Sequence, residues 1–167
     1  MKNVKKNNVI YILKEVDIMI AIACNCSGYK LKEEIKKYLD EKEIEYMDFG
    51  TYDEETLDDP EAVKEACKCI QNKKCSSGIL VSGSGFGMAM LANKFKGIRS
   101  VDCFNEDGAK RAKAHYNANV LAIPSEFVNL DTAINIIRGW IGTEVLGGRY
   151  KERIEVIEEI EKENMRQ

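Results

Sequence analysis

Apolar positions along the chain come in short runs, separated by segments in which they recur at helical spacing. Ile18 to Cys24 is an unbroken apolar run, the pattern of a strand buried on both faces. Beyond Ser27, a candidate helix cap, Leu31, Ile35, Tyr38 and Leu39 follow the helical period. Ile44 to Phe49 predicts a short second strand that stops at Gly50, and Thr51 to Asp59 reads as an acidic loop. Pro60 suits the first turn of a helix running to about Gln71. Ser77 to Ser82 predicts a third strand, which leads into Gly83-Ser84-Gly85-Phe86-Gly87 and a helix over Met88 to Phe95. A fourth strand over Ile98 to Cys103, a helix over Asp107 to Tyr116 and a fifth strand over Asn119 to Ile123 follow. Helices over Asn129 to Ile141 and Arg149 to Glu163 close the pattern. In the last of them Tyr150, Ile154, Ile157 and Glu161 share a face, with Ile160 beside it.

Strands alternating with helices at this spacing imply an α/β fold. With right-handed crossovers it becomes a three-layer α/β/α sandwich around a five-stranded parallel, Rossmann-like sheet. Ligands in such folds sit beyond the carboxyl ends of the strands. That rule gathers residues 24–27, 82–87 and 103–105 around one cleft. Residues 1–17, rich in Lys and Asn around one short apolar run, read as an N-terminal extension. Residues 18–167 read as a single domain, and Met19 stands where its strong patterning begins.

A length of 167 residues fits one domain with a core of its own. Apolar residues make up 44% and charged residues 32%, which excludes disorder as the main state. No apolar run approaches the length of a membrane span. With 25 basic against 28 acidic residues the net charge is −3, so no basic footprint for nucleic acid exists. No secretory signal is visible, so the expected compartment is the cytoplasm and the six cysteines are expected as reduced thiols. Their two C-x-C spacings are not those of a zinc site, and buried inert thiols are the expectation.

The chemistry concentrates at Gly83, Gly85 and Gly87, which follow a strand and open a helix. Glycines let the backbone approach a ligand, and free N–H groups there suit an anion or oxyanion. A tight structural turn is the plainer alternative. A dinucleotide site fits less well, because Met88 stands where the fingerprint wants its last small residue, although Asp48 is placed for a ribose contact.

Ser82-Gly83-Ser84-Gly85-Phe86-Gly87-Met88, Ala92-Asn93-Lys94-Phe95 and Gly97-Ile98-Arg99 resemble the ribose-5-phosphate isomerase B and galactose-6-phosphate isomerase family. So do Ile20-Ala21-Ile22-Ala23-Cys24, Asn119-Val120-Leu121-Ala122 and Gly147-Gly148-Arg149 with Arg153, all in the family's order over about residues 18 to 163. The resemblance implies interconversion of aldose and ketose sugar phosphates without metal or nucleotide cofactor. It also implies a dimer or higher homo-oligomer with active sites between subunits, or a heteromer with a paralogous subunit.

Enediol chemistry needs a proton-shuttling base, donors for the enediolate oxygen, a ring-opening acid–base group and cations for the phosphate. By resemblance, the N–H groups of Gly83, Ser84, Gly85 and Gly87 supply the donors. His115 aligns with the ring-opening histidine, and Arg149 and Arg153 align with a phosphate-binding pair four residues apart. Other positions depart from the family pattern. Ser82 replaces the proton-shuttling cysteine, and a serine hydroxyl needs an adjacent base. Met88 occupies the place of the glutamate base that some members carry. Asn25-Cys26 replaces Asp-His, Asp59 replaces Tyr, and Tyr116 replaces Asn. Cys26, at the start of a helix, is the candidate for a relocated base. Glu126 replaces a third phosphate arginine. That turns attraction for a phosphate into repulsion; at about 6 Å and an effective dielectric of about 20, each unit pair is worth roughly 2 to 3 kcal/mol before screening.

Overall fold

A computed structural model describes residues 19–55 and 60–165. Its strands are β1 (Ile20–Cys24), β2 (Tyr46–Asp48), β3 (Ser77–Ser82), β4 (Ser100–Asp102) and β5 (Val120–Pro124). They form one sheet in the order β2-β1-β3-β5-β4, with every neighbouring pair parallel. The helices are α1 (Tyr29–Glu41), α2 (Pro60–Gln71), α3 (Phe86–Ala92), α4 (Glu106–Tyr116), α5 (Leu130–Ile141) and α6 (Arg149–Asn164). This is the α/β sandwich that the alternation predicts. The anticipated extension, residues 1–17, lies outside the described residues, as does Asp59.

Burial explains the unbroken apolar run of β1, since all five of its residues are sealed off. Ile20, Ile22 and Cys24 pack on one face with Ile35 and Leu39 of α1, Ala109 and Ala112 of α4, and Ile136, Ile137 and Trp140 of α5. Ala21 and Ala23 pack on the other face with Val63 and Ala66 of α2 and Met88 and Ala92 of α3. Each fully buried large aliphatic contributes about 1.5 to 3 kcal/mol, so the sheet is held from both sides.

Asparagines set the starts of α4 and α5. Asn105 accepts from the Gly108 N–H at 2.8 Å ahead of α4, and Asn129 accepts from the Thr132 N–H at 2.9 Å ahead of α5. Ser27 does not cap α1 as its sequence position suggested. A 3₁₀ turn, Cys26–Gly28, intervenes, and Asn25 caps it by accepting from the Gly28 N–H at 3.1 Å. α3 begins two residues before the predicted start and ends at Ala92. There Asn93 turns away, its side chain bonded to both the N–H and the carbonyl of Ser100 at 2.7 and 2.8 Å.

One expectation about the cysteines is corrected. Cys69 and Cys75 are joined as a disulfide, with Cα atoms 5.3 Å apart. The chain reverses where α2 ends, and the N–H groups of Lys74 and Cys75 both bond to the Cys69 carbonyl, which folds the second cysteine back onto the first. Cys24, Cys67 and Cys103 are buried free thiols. Burial pushes Cys67 and Cys103 up to about 12 and Cys24 up to about 11, the last against the opposing pull of the Lys32 charge. All three stay protonated and unreactive at neutral pH.

Candidate active site

The sheet order reverses between β1 and β3, the position where open α/β sheets bind ligands. A cleft of about 540 Å³ opens there, with Asn25, Ser27, Ser82, Gly83, Ser84 and Glu126 among its lining residues. A hollow of about 730 Å³ at the other end of the sheet, beside Lys73, Lys74, Lys96 and Asn119, contains none of the candidate residues.

The glycine turn leaves β3 through Ser82, whose Oγ accepts the Gly85 N–H at 3.0 Å. Gly85 has φ +82, and a Cβ there would meet Asp102 Oδ1 at 2.1 Å. Both observations demand glycine. Ser82 is therefore occupied in shaping the turn. The β5 end is stitched to the turn by the Ser125 N–H on the Ser82 carbonyl at 2.8 Å and the Glu126 N–H on the Gly83 carbonyl at 3.0 Å. The Ser125 hydroxyl also donates to the Ser27 carbonyl at 2.9 Å, tying β5 to the turn after β1. The Glu126 carboxylate rests on Gly83, with Oε1 2.6 Å from where a Cβ would stand.

Asn25 and Gly87 line this cleft. Cys26 belongs to the adjoining turn, with its Sγ 3.9 Å from Ser27 Oγ, and is not among the lining residues. Asp48, the conceivable ribose partner, is already held by Lys32 at 2.8 and 2.9 Å and by Lys36 at 2.8 Å. Burial raises the Asp48 carboxyl, but these two lysines and the Gly50 N–H outweigh it and hold the group below its ordinary range. Lys32 is fully buried and also donates to the Thr51 carbonyl at 2.8 Å, bracing β2 against α1.

The remaining candidates lie elsewhere. α4 leaves the carboxyl end of β4 and runs back along the sheet, so His115 and Tyr116 sit about 14 and about 15 Å from its start. His115 stacks on Tyr150 with ring centroids 4.3 Å apart and 15° between planes. Arg149 Nη2 donates to the Tyr150 hydroxyl at 2.9 Å, which lowers the phenol's pKa, and Arg153 lies 5.7 Å from the ring centre. Tyr116 is exposed, its ring 6.2 Å from that of His115. Within one chain, His115, Tyr116, Arg149 and Arg153 form a cationic, aromatic cluster remote from Ser82, Gly83, Ser84, Gly85 and Gly87.

Two features escaped the sequence pattern. Asp102 ends β4 beneath Gly85, with a buried Oδ1 that has no hydrogen-bond partner among the described residues. Burial pushes its carboxyl up to about 6. Phe86, Phe104 and Phe127 form an exposed aromatic rim, with centroids 6.3 and 5.9 Å apart. An acidic residue closing a run of strand pattern was the one available sign of the first. For the second, the three phenylalanines are too far apart in sequence to read as a group. Among the described residues no three His, Cys, Asp or Glu side chains are grouped to hold a metal, and no helix is long and apolar enough to cross a membrane.

Residues 20–157 match the family model described as Ribose/Galactose Isomerase. The chain is 37% identical over 142 residues to ribose-5-phosphate isomerase B of Escherichia coli, covering 85% of this chain and 95% of that one. The solved structure of Clostridium thermocellum ribose-5-phosphate isomerase B superposes with a TM-score of 0.85 at 36% identity, covering 87% and 99% of the two chains. The Mycoplasma genitalium ribose-5-phosphate isomerase B, solved with bound ribulose-5-phosphate, gives a TM-score of 0.82 at 34% identity over 88% and 98%.

Proposed function

The chain belongs to the ribose/galactose isomerase family, and on that premise we propose that it interconverts an aldose and a ketose sugar phosphate, in a site completed by a second subunit. The observation that carries this reading is the glycine turn over the cleft at the sheet's switch point. Its backbone N–H groups can meet an enediolate oxygen whatever the neighbouring side chains are. Arg149 and Arg153 are the cations for the phosphate, with His115 beside them for opening the sugar ring. These groups lie about the length of α4 away from the turn, so the reading requires the cluster of one subunit to face the cleft of another. The exposed Phe86, Phe104 and Phe127 rim and the exposed Val156, Ile157 and Ile160 of α6 are apolar surface for such a partner.

A second reading has its own observation. Ser82 stands in the shuttle position and is occupied by the Gly85 N–H, which favours a silent sugar-phosphate-binding paralogue or one subunit of a heteromeric enzyme. Deuterium uptake from heavy water into a panel of pentose and hexose phosphates, followed by NMR, separates the two. The isomerase reading expects a deuteron on the exchanging carbon of at least one sugar. Retained binding with no uptake into any of them would select the second reading.

A further inference from the structure

Resting on the isomerase reading, the inference concerns the group that moves the carbon-bound proton. We propose that Glu126 is the base of this chain. Among the described residues lining the cleft, it is the one carboxyl side chain; the others are amide, hydroxyl, apolar or glycine.

Its placement is built rather than incidental. Two backbone hydrogen bonds tie the Ser125 and Glu126 N–H groups to the glycine turn, and the Ser125 hydroxyl donates to the Ser27 carbonyl. The carboxylate itself has no ion pair or hydrogen bond among the described residues, and Oε1 lies 2.6 Å from where a Cβ on Gly83 would stand. Base and oxyanion donors therefore adjoin, as proton transfer next to a carbonyl requires. The other candidates are less well placed. Ser82 Oγ is committed to Gly85, Cys26 does not line the cleft, and the inner oxygen of Asp102 is buried beneath the turn. The resemblance would put a phosphate cation at this position. A carboxylate resting on the glycine turn is unsuited to holding a phosphate, but it supplies the proton acceptor that the serine at 82 does not.

In the step itself, the carboxylate takes the proton from C2 of the open-chain aldose. The electron pair of that C–H bond becomes the C1=C2 bond, and the carbonyl π pair moves onto O1, where the turn's N–H groups stabilise it. The hydroxyl proton of O2 passes to O1, the C2–O2 bond becomes the carbonyl, and the protonated Glu126 returns its proton to C1. Atoms and electrons balance with no co-reactant.

The test uses the full chain and the sugar phosphate into which the wild type takes up deuterium. Glu126→Gln is expected to lower uptake at least about 100-fold, with affinity for the same sugar phosphate changed less than about threefold and Tm unchanged. Glu126→Asp, which keeps the carboxylate on a shorter arm, is expected to retain part of the activity. Uptake by Glu126→Gln at or above the wild-type rate would overturn the proposal, and faster uptake with tighter binding would mean that Glu126 only repels phosphate. No uptake by the wild type with any sugar would overturn the isomerase reading itself, and this proposal with it.

Discussion

The two ends of the sheet are built on different principles. At the carboxyl end the prominent feature is backbone: the N–H groups of a turn that Gly85, Ser82 and the Ser125-Glu126 segment hold in shape. At the amino end it is side chains: His115 stacked on Tyr150, with Arg149 and Arg153 around it. The carboxyl end carries the carboxylates of Glu126 and Asp102, whereas the cluster carries the guanidinium groups. The N–H donors of a turn do not depend on the identity of the side chains beside it, so the glycine turn keeps its shape next to Ser82, Cys26 and Met88; a carboxylate or a guanidinium group acts only through its own side chain.

The sharpest way to break this comparison is to damage each end in a different subunit. Gly83→Leu fills the cleft, and Arg149→Ala with Arg153→Ala empties the cluster; each is expected to abolish deuterium uptake by itself. If a site takes one end from each of two subunits, random mixing of the two variants in a dimer regenerates about a quarter of the wild-type sites. No recovery after mixing and reassembly, with both variants folded, would show that the ends do not cooperate.

A smaller effect tests the turn as a backbone device. Gly85→Ala forces a side chain onto φ +82 and against Asp102 Oδ1, which should cost about 2 kcal/mol. For a chain of this size that is a fall in Tm of about 4 to 8 °C. An unchanged Tm would mean that the turn is not held in this shape.

A further effect lies in pH. Burial raises the Asp102 carboxyl to about 6 in the folded chain, above its ordinary range near 4. The folded state therefore holds this proton more tightly than the unfolded state, and stability is lost as pH rises from about 4 through 6. Asp102→Asn removes that loss. Its Tm advantage over the wild type should be larger at pH 8 than at pH 4.5, and equal shifts at both would disprove the ionisation as the cause.

Much of this molecule follows from local pattern. The buried run at β1, the helical spacing of Leu31, Ile35 and Leu39, and the glycine turn after β3 are repeats set by neighbours a few residues away, so they are legible in the chain. The candidate residues could be named the same way, by motif. Their arrangement could not. That Glu126 rests on Gly83, that Asp102 lies under Gly85 and that Cys69 meets Cys75 are outcomes of strand register and of where each crossover brings the chain back. The separation of His115 and Arg149 from the glycine turn is likewise a matter of helix direction: α4 must run opposite to β4, and its length carries His115 to the far end of the sheet. The sequence by itself determined the elements and the family of chemistry. The tertiary structure decided which carboxylate faces the cleft and that the glycine turn and the His115 cluster stand apart in one chain, because distances across a sheet depend on contacts between residues far apart in sequence.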